Sequence, residues 1–217
     1  MSTLPQPPAM RIKSTWFRPG AAHTPAEQAG AMAFIVFRVG QQTLKRMRGA
    51  DFDIDAGPPY FAFLREVLVF LIAVVDRIAA ARLTSEARVE FTTALVRHVA
   101  RTLAGNEDDL LGPPAAGAAP HADSFIDLVN EVVPHYAEFG ADPQAADPTL
   151  GFQPDFAFLR YLGSRLEPTL PPKDRLWVID QVMAVEAPEA LAVVQRSMRD
   201  LYDPAPRRAR RMAHTGD

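Results

Sequence analysis

Apolar residues recur every three or four positions along most of this chain, the spacing that places them on one face of an α-helix. The first periodic segment follows Thr24, Pro25 and Glu27. A threonine N-cap, a proline at the first helical position and a glutamate three residues after the cap together favour a helix start. We therefore predict a helix over residues 25–48. Its buried face would hold Ala33, Phe37, Leu44 and Met47.

A second helix is predicted from Pro58 or Pro59 to about Arg82. It is apolar on nearly every side, so we expect it at the centre of the fold. Its most apolar run, Val67 to Val75, holds nine residues. At about 1.5 Å per residue this run spans about 14 Å, against the ~30 Å of a bilayer core, so we expect no membrane span.

A third helix should follow the caps offered by Thr84 or Ser85, and Gly105 is expected to end it. Residues 105–120 then form a linker, because a run so rich in proline, alanine and glycine fits no regular element. The buried face of the third helix would hold Phe91, Leu95, Val99 and Leu103.

Further helices are predicted beyond the linker. The sequence from Ser124 resembles a capping box at the start of a fourth helix, in which Pro134 should produce a kink. A fifth helix begins at Pro154 and a sixth near Pro171, and Pro188 should either kink the sixth or begin a seventh. Nowhere do apolar and polar residues alternate as in a strand. We predict an all-α fold, a single bundle of six to seven helices.

Two flanking segments lie outside this bundle. The N-terminal arm carries Trp16 and Phe17, which could dock onto the body, and the C-terminal tail is basic. The predicted parts are an irregular arm over residues 1–23, a helical domain over 24–203 with halves 24–104 and 121–203, and a disordered tail over 204–217.

A short segment occurs twice in the chain. Pro59–Arg65 and Pro154–Arg160 are identical at six of seven positions, at an offset of 95 residues. We predict a duplicated three-helix unit with pseudo-twofold symmetry. Chance similarity in a chain rich in alanine, leucine and phenylalanine is the alternative, and the duplication requires Phe61 and Phe156 to occupy equivalent places.

Composition narrows the chemistry. The 217 residues include 23 Lys plus Arg and 26 Asp plus Glu, a net charge of −3, and no cysteine. Disulfides, thiolate nucleophiles and Cys-bound metals are therefore excluded. The start of the chain is rich in proline and has no apolar signal region, so we expect a cytoplasmic protein. The excess of arginine over lysine indicates a GC-biased bacterial genome rather than nucleic-acid binding.

One loop resembles the start of a calcium site. Asp51, Asp53 and Asp55 alternate as carboxylates do in an EF-hand loop. However, Ala56 replaces the usual glycine and Ala62 replaces the bidentate glutamate. We therefore treat these three aspartates as weak metal candidates and expect them to face water.

The motifs of familiar enzymes are missing from the sequence. It contains no Gly-x-Ser-x-Gly, Ser-x-x-Lys, Gly-x-x-x-x-Gly-Lys or Gly-x-Gly-x-x-Gly. We expect neither a cofactor nor catalysis, although a site assembled only in three dimensions stays open.

Charges flank the apolar run of the second helix. Arg65 and Asp76 are eleven residues apart, about three turns, so they project from one face. We expect them to pair with other helices. Alternatively they bind a polar ligand at the ends of an apolar cavity lined by Phe37 and Phe70, with Arg160 as the repeat counterpart of Arg65.

These observations favour a non-catalytic interaction protein that acts through its surface, as an oligomer or as a subunit of an assembly. The alternative is a small-molecule binder or enzyme with an apolar inter-helix cavity and an arginine for an anionic group. The basic residues 207–211 could hold phosphates, but acidic residues offset the remaining basic positions, and we do not expect a nucleic-acid partner.

Overall fold

A computed structural model describes residues 23–142 and 151–202, and these residues form an all-α fold. A π-helical turn, Val182–Glu186, joins the last two helices without a break, so six rods pack together in the described ranges. Their only β-type pairing is an isolated bridge between Ala141 and Pro154. The predicted fold class is therefore confirmed. The helices are α1 Pro25–Gly49, α2 Pro58–Ala80, α3 Ser85–Leu111, α4 His121–Glu138, α5 Phe156–Leu166, α6 Pro172–Gln181 and α7 Ala187–Tyr202.

Helix α2 lies at the centre, as its apolar pattern predicts. Every residue from Val67 to Val75 is buried, and α2 contacts α1, α3, α4, α5 and α7. Each buried aliphatic or aromatic side chain contributes about 1.5–3 kcal/mol, so this helix anchors the core. Within the described ranges, no helix combines the length and apolar character needed to cross a membrane.

The predicted helix starts depend on local hydrogen bonds. The Glu27 N–H donates to Thr24 Oγ1 at 3.2 Å and the Thr24 N–H donates to Glu27 Oε2 at 2.9 Å, which confirms the capping box. The Ala87 N–H donates to Thr84 Oγ1 at 3.3 Å at the start of α3. Ser124 does not cap α4, which begins earlier, at His121.

Gly105 does not end α3, contrary to the sequence prediction. The helix continues to Leu111, and the linker shortens to 112–120. Gly105 keeps a negative φ, whereas Gly112 has φ 84° and ends the helix. A buried ion pair of Glu107 with α2 accounts for the extra turns, because Glu107 must stay on the helix to reach its partner.

Proline does not break the last helical rod. The chain stays helical through Pro188, and the π turn lies directly before it. A proline ring clashes with the carbonyl four residues earlier, and the wider π turn makes room for it. Helix α4 likewise continues through Pro134.

The structure does not show the predicted duplication. Phe61 is 2% exposed in the core, whereas its counterpart Phe156 is 68% exposed. Arg65 is paired inside the bundle, and Arg160 lies on the surface. The repeated segment therefore occupies two different environments. The predicted arm with Trp16 and Phe17 and the basic tail lie outside the described residues.

The corrected end of α3 can be tested with two glycine substitutions. Gly105→Ala should raise the free energy of unfolding by about 0.5–1 kcal/mol, because alanine is favoured inside a helix. A Cβ at Gly105 meets nothing within 4 Å. Gly112→Ala is the matched control and should lower stability by about 1–3 kcal/mol, because its φ favours glycine. Urea denaturation measures both, and a destabilising Gly105→Ala would contradict a helix through this position.

Candidate functional site

The charges that flank the apolar run of α2 are held by other helices. Arg65 donates to both carboxylate oxygens of Glu107 on α3, at 2.8 and 2.9 Å, and to Ser124 Oγ on α4 at 3.1 Å. Glu107 is 2% exposed. A bidentate arginine–carboxylate pair of this kind compensates for the desolvation of both charges. The structure therefore places Arg65 in a helix-to-helix contact.

Asp76, at the other end of the apolar run, is also paired. It accepts hydrogen bonds from Arg88 Nε at 3.0 Å and from Thr92 Oγ1 at 2.7 Å, both on α3. The hydrogen bond from Arg88 to Asp76 raises the pKa of that arginine. Arg65 and Asp76 thus hold α3 against α2 at both ends of the apolar run.

Two further ion pairs were not identified from the sequence. Arg165 of α5 donates to both oxygens of Glu66, at 2.9 and 2.6 Å, and its pKa is raised by that hydrogen bond. Arg46 Nε of α1 donates to Glu186 in the π turn at 2.8 Å. Glu66 directly precedes the apolar run, which was an available signal, whereas the partners are far away in sequence.

The predicted apolar cavity coincides with packed core. Phe37 and Phe70 are buried, and the gap beside Phe70 is too small to hold a water molecule. Phe70 makes edge-on ring contacts with Tyr136 at 6.0 Å and Phe158 at 5.7 Å between centroids. These aromatics stabilise the interior, as ring contacts of this geometry usually do.

The aspartates of the candidate metal loop face outward. Asp51, Asp53 and Asp55 are exposed while the residues between them are buried. Asp53 pairs with Lys173 at 2.9 Å, and the Asp53 N–H donates to Asp174 Oδ2 at 2.8 Å, so the loop attaches to the start of α6. The hydrogen bond with Asp53 raises the pKa of Lys173. No group of three or more acidic or histidine side chains in the described ranges is placed to hold a metal ion.

A surface groove of about 670 Å³ lies between α5 and α6. The two helices cross closely where Gly163 faces Ile179, since a Cβ at Gly163 would approach the Ile179 Cα to 3.0 Å. The groove lies on the N-terminal side of that crossing along α5. We call it the α5–α6 groove, and its lining is Phe156, Arg160, Leu176, Ile179, Asp180, Met183 and Ala184.

The walls of the α5–α6 groove expose large apolar side chains. Phe156 is 68% exposed on α5, and Leu176 is 81% exposed on α6. Trp177, beside Leu176 and one turn before Asp180, is 63% exposed. Side chains of this size present ~150–250 Å² each, so the three together expose roughly 400 Å² of apolar surface. A patch of that size is at the scale of functional patches on monomeric proteins.

The groove also carries one charge of each sign. Arg160 lines the α5 wall and Asp180 lines the α6 wall, and neither side chain has a partner among the described residues. By contrast, Arg46, Arg65, Arg88 and Arg165 each donate hydrogen bonds to a buried carboxylate of another helix. Two smaller grooves flank α3, where Arg97 and Arg101 are accompanied by Glu90 and Asp108.

No known family model, curated protein or solved structure matches this chain. The packed core, its ion pairs and the α5–α6 groove are therefore the features from which a function is inferred. Sequence reasoning named Arg160 but missed Phe156, Leu176 and Trp177. An available signal was that Leu176 and Trp177 lie off the buried stripe that contains Val178 and Val182.

The pairing of Arg65 can be tested by removing its partner. Glu107→Gln should lower the free energy of unfolding by about 3 kcal/mol, because it leaves a buried arginine without its counter-charge. The double variant Arg65→Met/Glu107→Met should recover most of that loss. Lys173→Met is the control, since its pair with Asp53 is exposed, and it should leave the urea midpoint nearly unchanged. Equal midpoints for Glu107→Gln and wild type would contradict a structural role for this pair.

The hydroxyl of Tyr136 is buried and has no hydrogen-bond partner within residues 23–142 and 151–202. Burial raises the pKa of Tyr136 well above its ordinary value of 10.0. Above about pH 10 the unfolded chain therefore loses a proton that the folded chain keeps, so stability falls as pH rises.

Tyr136→Phe should make that alkaline loss of stability shallower. At neutral pH the variant should be as stable as wild type or more stable by up to about 1 kcal/mol, because it removes an unpaired buried hydroxyl. Urea denaturation at neutral and alkaline pH measures both effects. A clear loss of stability at neutral pH would show that the hydroxyl has a partner.

Proposed function

We propose that this chain is a non-catalytic interaction protein that binds another protein surface through the α5–α6 groove. The observation that carries the proposal is the exposure of Phe156 and Leu176, which line the groove and are 68% and 81% exposed. Trp177, the residue after Leu176 on α6, is 63% exposed. Burying such a side chain contributes about 1.5–3 kcal/mol. Aromatic residues next to an arginine are also typical of energetically dominant interface positions.

The position of the groove on helices supports this role. Its residues lie on α5, α6 and the π turn, and the Gly163 crossing fixes the first two against each other. A preformed groove loses little conformational freedom on binding, which favours affinity. An amphipathic helix or another helix pair is a fitting occupant for such a groove.

The core supports a non-catalytic role. The buried carboxylates of Glu66, Asp76, Glu107 and Glu186 each accept hydrogen bonds from arginine. The oxygens of Glu66, Glu107 and Glu186 are engaged between helices. Asp76 borders a small surface groove, where its oxygens accept hydrogen bonds from Arg88 and Thr92. A general acid or base needs reach to a substrate proton, which this arrangement does not give.

Binding of a small anionic molecule is the second candidate function, and the observation that favours it is Arg160 beside the apolar walls of the same groove. Sites for small molecules usually enclose about 70–90% of the ligand's surface, whereas this groove lies open on the surface of the protein. A protein surface is the better fit.

The proposal can be tested with two matched double variants. Phe156→Ser/Leu176→Ser removes apolar groups from the groove, and Val89→Ser/Leu110→Ser removes equally exposed groups, at 66% and 69%, from α3. The tagged full-length chains are mixed with extract of the native host and the retained proteins are quantified by mass spectrometry, alongside sedimentation of each purified chain. We expect association with itself or with specific proteins to fall at least ~10-fold for the groove variant only, a loss of about 1.4 kcal/mol.

Both variants change exposed residues, so their thermal midpoints should stay close to that of wild type. Association that survives in the groove variant and is lost in the α3 variant would contradict the proposal. A retained metabolite in native mass spectrometry that depends on Arg160, with no dependent protein contact, would favour the small-molecule alternative.

A further inference from the structure

This inference rests on the proposed function and identifies the partner of the same groove. We propose that the occupant is a second copy of this chain: two copies place their α5–α6 faces against each other about a twofold axis. Arg160 of each copy then pairs with Asp180 of the other.

The charges of the groove are self-complementary. In a twofold interface, residue i of one copy meets residue j of the other, and j meets i. Arg160 and Asp180 lie on opposite walls, and neither has a partner in the described part of the chain. Two identical faces therefore form two ion pairs, each between the Arg160 of one copy and the Asp180 of the other, and both charges of each groove are paired.

The neutrality of the groove has a further consequence. Among the residues that the structure describes, Arg160 and Asp180 are the only charged lining residues, so this part of the lining carries no net charge. A face with an excess of one sign would repel its own copy, because like charges in contact across an interface cost several kcal/mol. Here the opposed walls attract, and the reciprocal pairs also fix the relative direction of the two copies.

The apolar area fits a modest dimer. Roughly 400 Å² of apolar surface per copy, at the ~56–65% apolar fraction of protein interfaces, corresponds to about 700 Å² of total surface per copy. Specific interfaces bury about 800 Å² per partner. We therefore expect a reversible dimer with a Kd on the order of micromolar rather than an obligate one.

Trp177 provides a direct probe of this interface. The chain has two tryptophans, and Trp177 is 63% exposed in the single copy. In a Trp16→Phe background, the emission of Trp177 should shift to shorter wavelength as protein concentration rises through the Kd, because pairing removes its indole from water.

Charge reversal tests the reciprocal pairing. Arg160→Asp alone gives each face two carboxylates, and Asp180→Arg alone gives each face two cations. Each single variant should therefore lose at least ~10-fold in self-association, while Arg160→Asp/Asp180→Arg should regain it. Mixing the two single variants should produce a heterodimer, because every contact between them again joins opposite charges.

Sedimentation velocity over about 1–100 µM, a range that brackets the expected Kd, measures self-association of wild type, the two single variants, the double variant and the mixture of the single variants. Val89→Ser is the control and should associate like wild type, since Val89 lies on α3. Heterodimer formation only in the mixture, with the Trp177 shift, would establish the proposed interface. Single variants that associate as tightly as wild type would overturn it.

The test separates this inference from the proposed function. A wild-type chain that is monomeric at about 100 µM overturns the dimer. If that monomer still loses specific protein contacts in Phe156→Ser/Leu176→Ser, the groove remains an interaction site for a different protein. If neither self-association nor protein capture depends on the groove, both proposals are overturned.

Discussion

The desolvation of the charges beside the apolar run of α2 constrains the rest of the structure. A helix buried along its length removes these charges from water, at several kcal/mol per ion. Only side chains from neighbouring helices can compensate that loss. Arg65 and Asp76 meet partners on α3, and Glu66 meets its partner on α5. Because bidentate pairs tolerate little displacement, they set which helices adjoin α2 and in what register.

The sequence predicted those features of the fold that local physics determines. The Thr24 capping box and the apolar stripes of α1 and α3 depend on residues within a few turns, and the structure confirms them. The end of α3 was wrong because Glu107 is held in the helix by Arg65, forty-two residues away. A glycine permits a helix end but does not require one, so a distant contact decided the outcome.

The candidate site was much harder to predict than the fold. The repeated segment suggested that Arg160 would share the environment of Arg65, yet one arginine is paired in the core and the other lines the α5–α6 groove. The environment of a side chain depends on what packs over its helix, and no helix in the described part of the chain covers Phe156 on α5. The position of Leu176 and Trp177 off the Val178–Val182 stripe hinted at their exposure, but tertiary packing decides which apolar residues of α6 are covered.

Removing a charge from water is costly unless a counter-charge replaces the water, and this cost acts differently in the core and at the groove. Inside the bundle, each buried carboxylate among the described residues accepts a hydrogen bond from an arginine of another helix. At the groove, Arg160 and Asp180 lie beside apolar walls, and neither side chain has a partner among the described residues. A partner that covers these walls also removes water from both charges, and such an unpaired charge lowers affinity. Apolar contact alone would accept many surfaces, whereas the two charges reject any surface that cannot supply an anion and a cation in matching positions. In the proposed dimer, the groove therefore combines an apolar driving force with a charge requirement that an identical face meets.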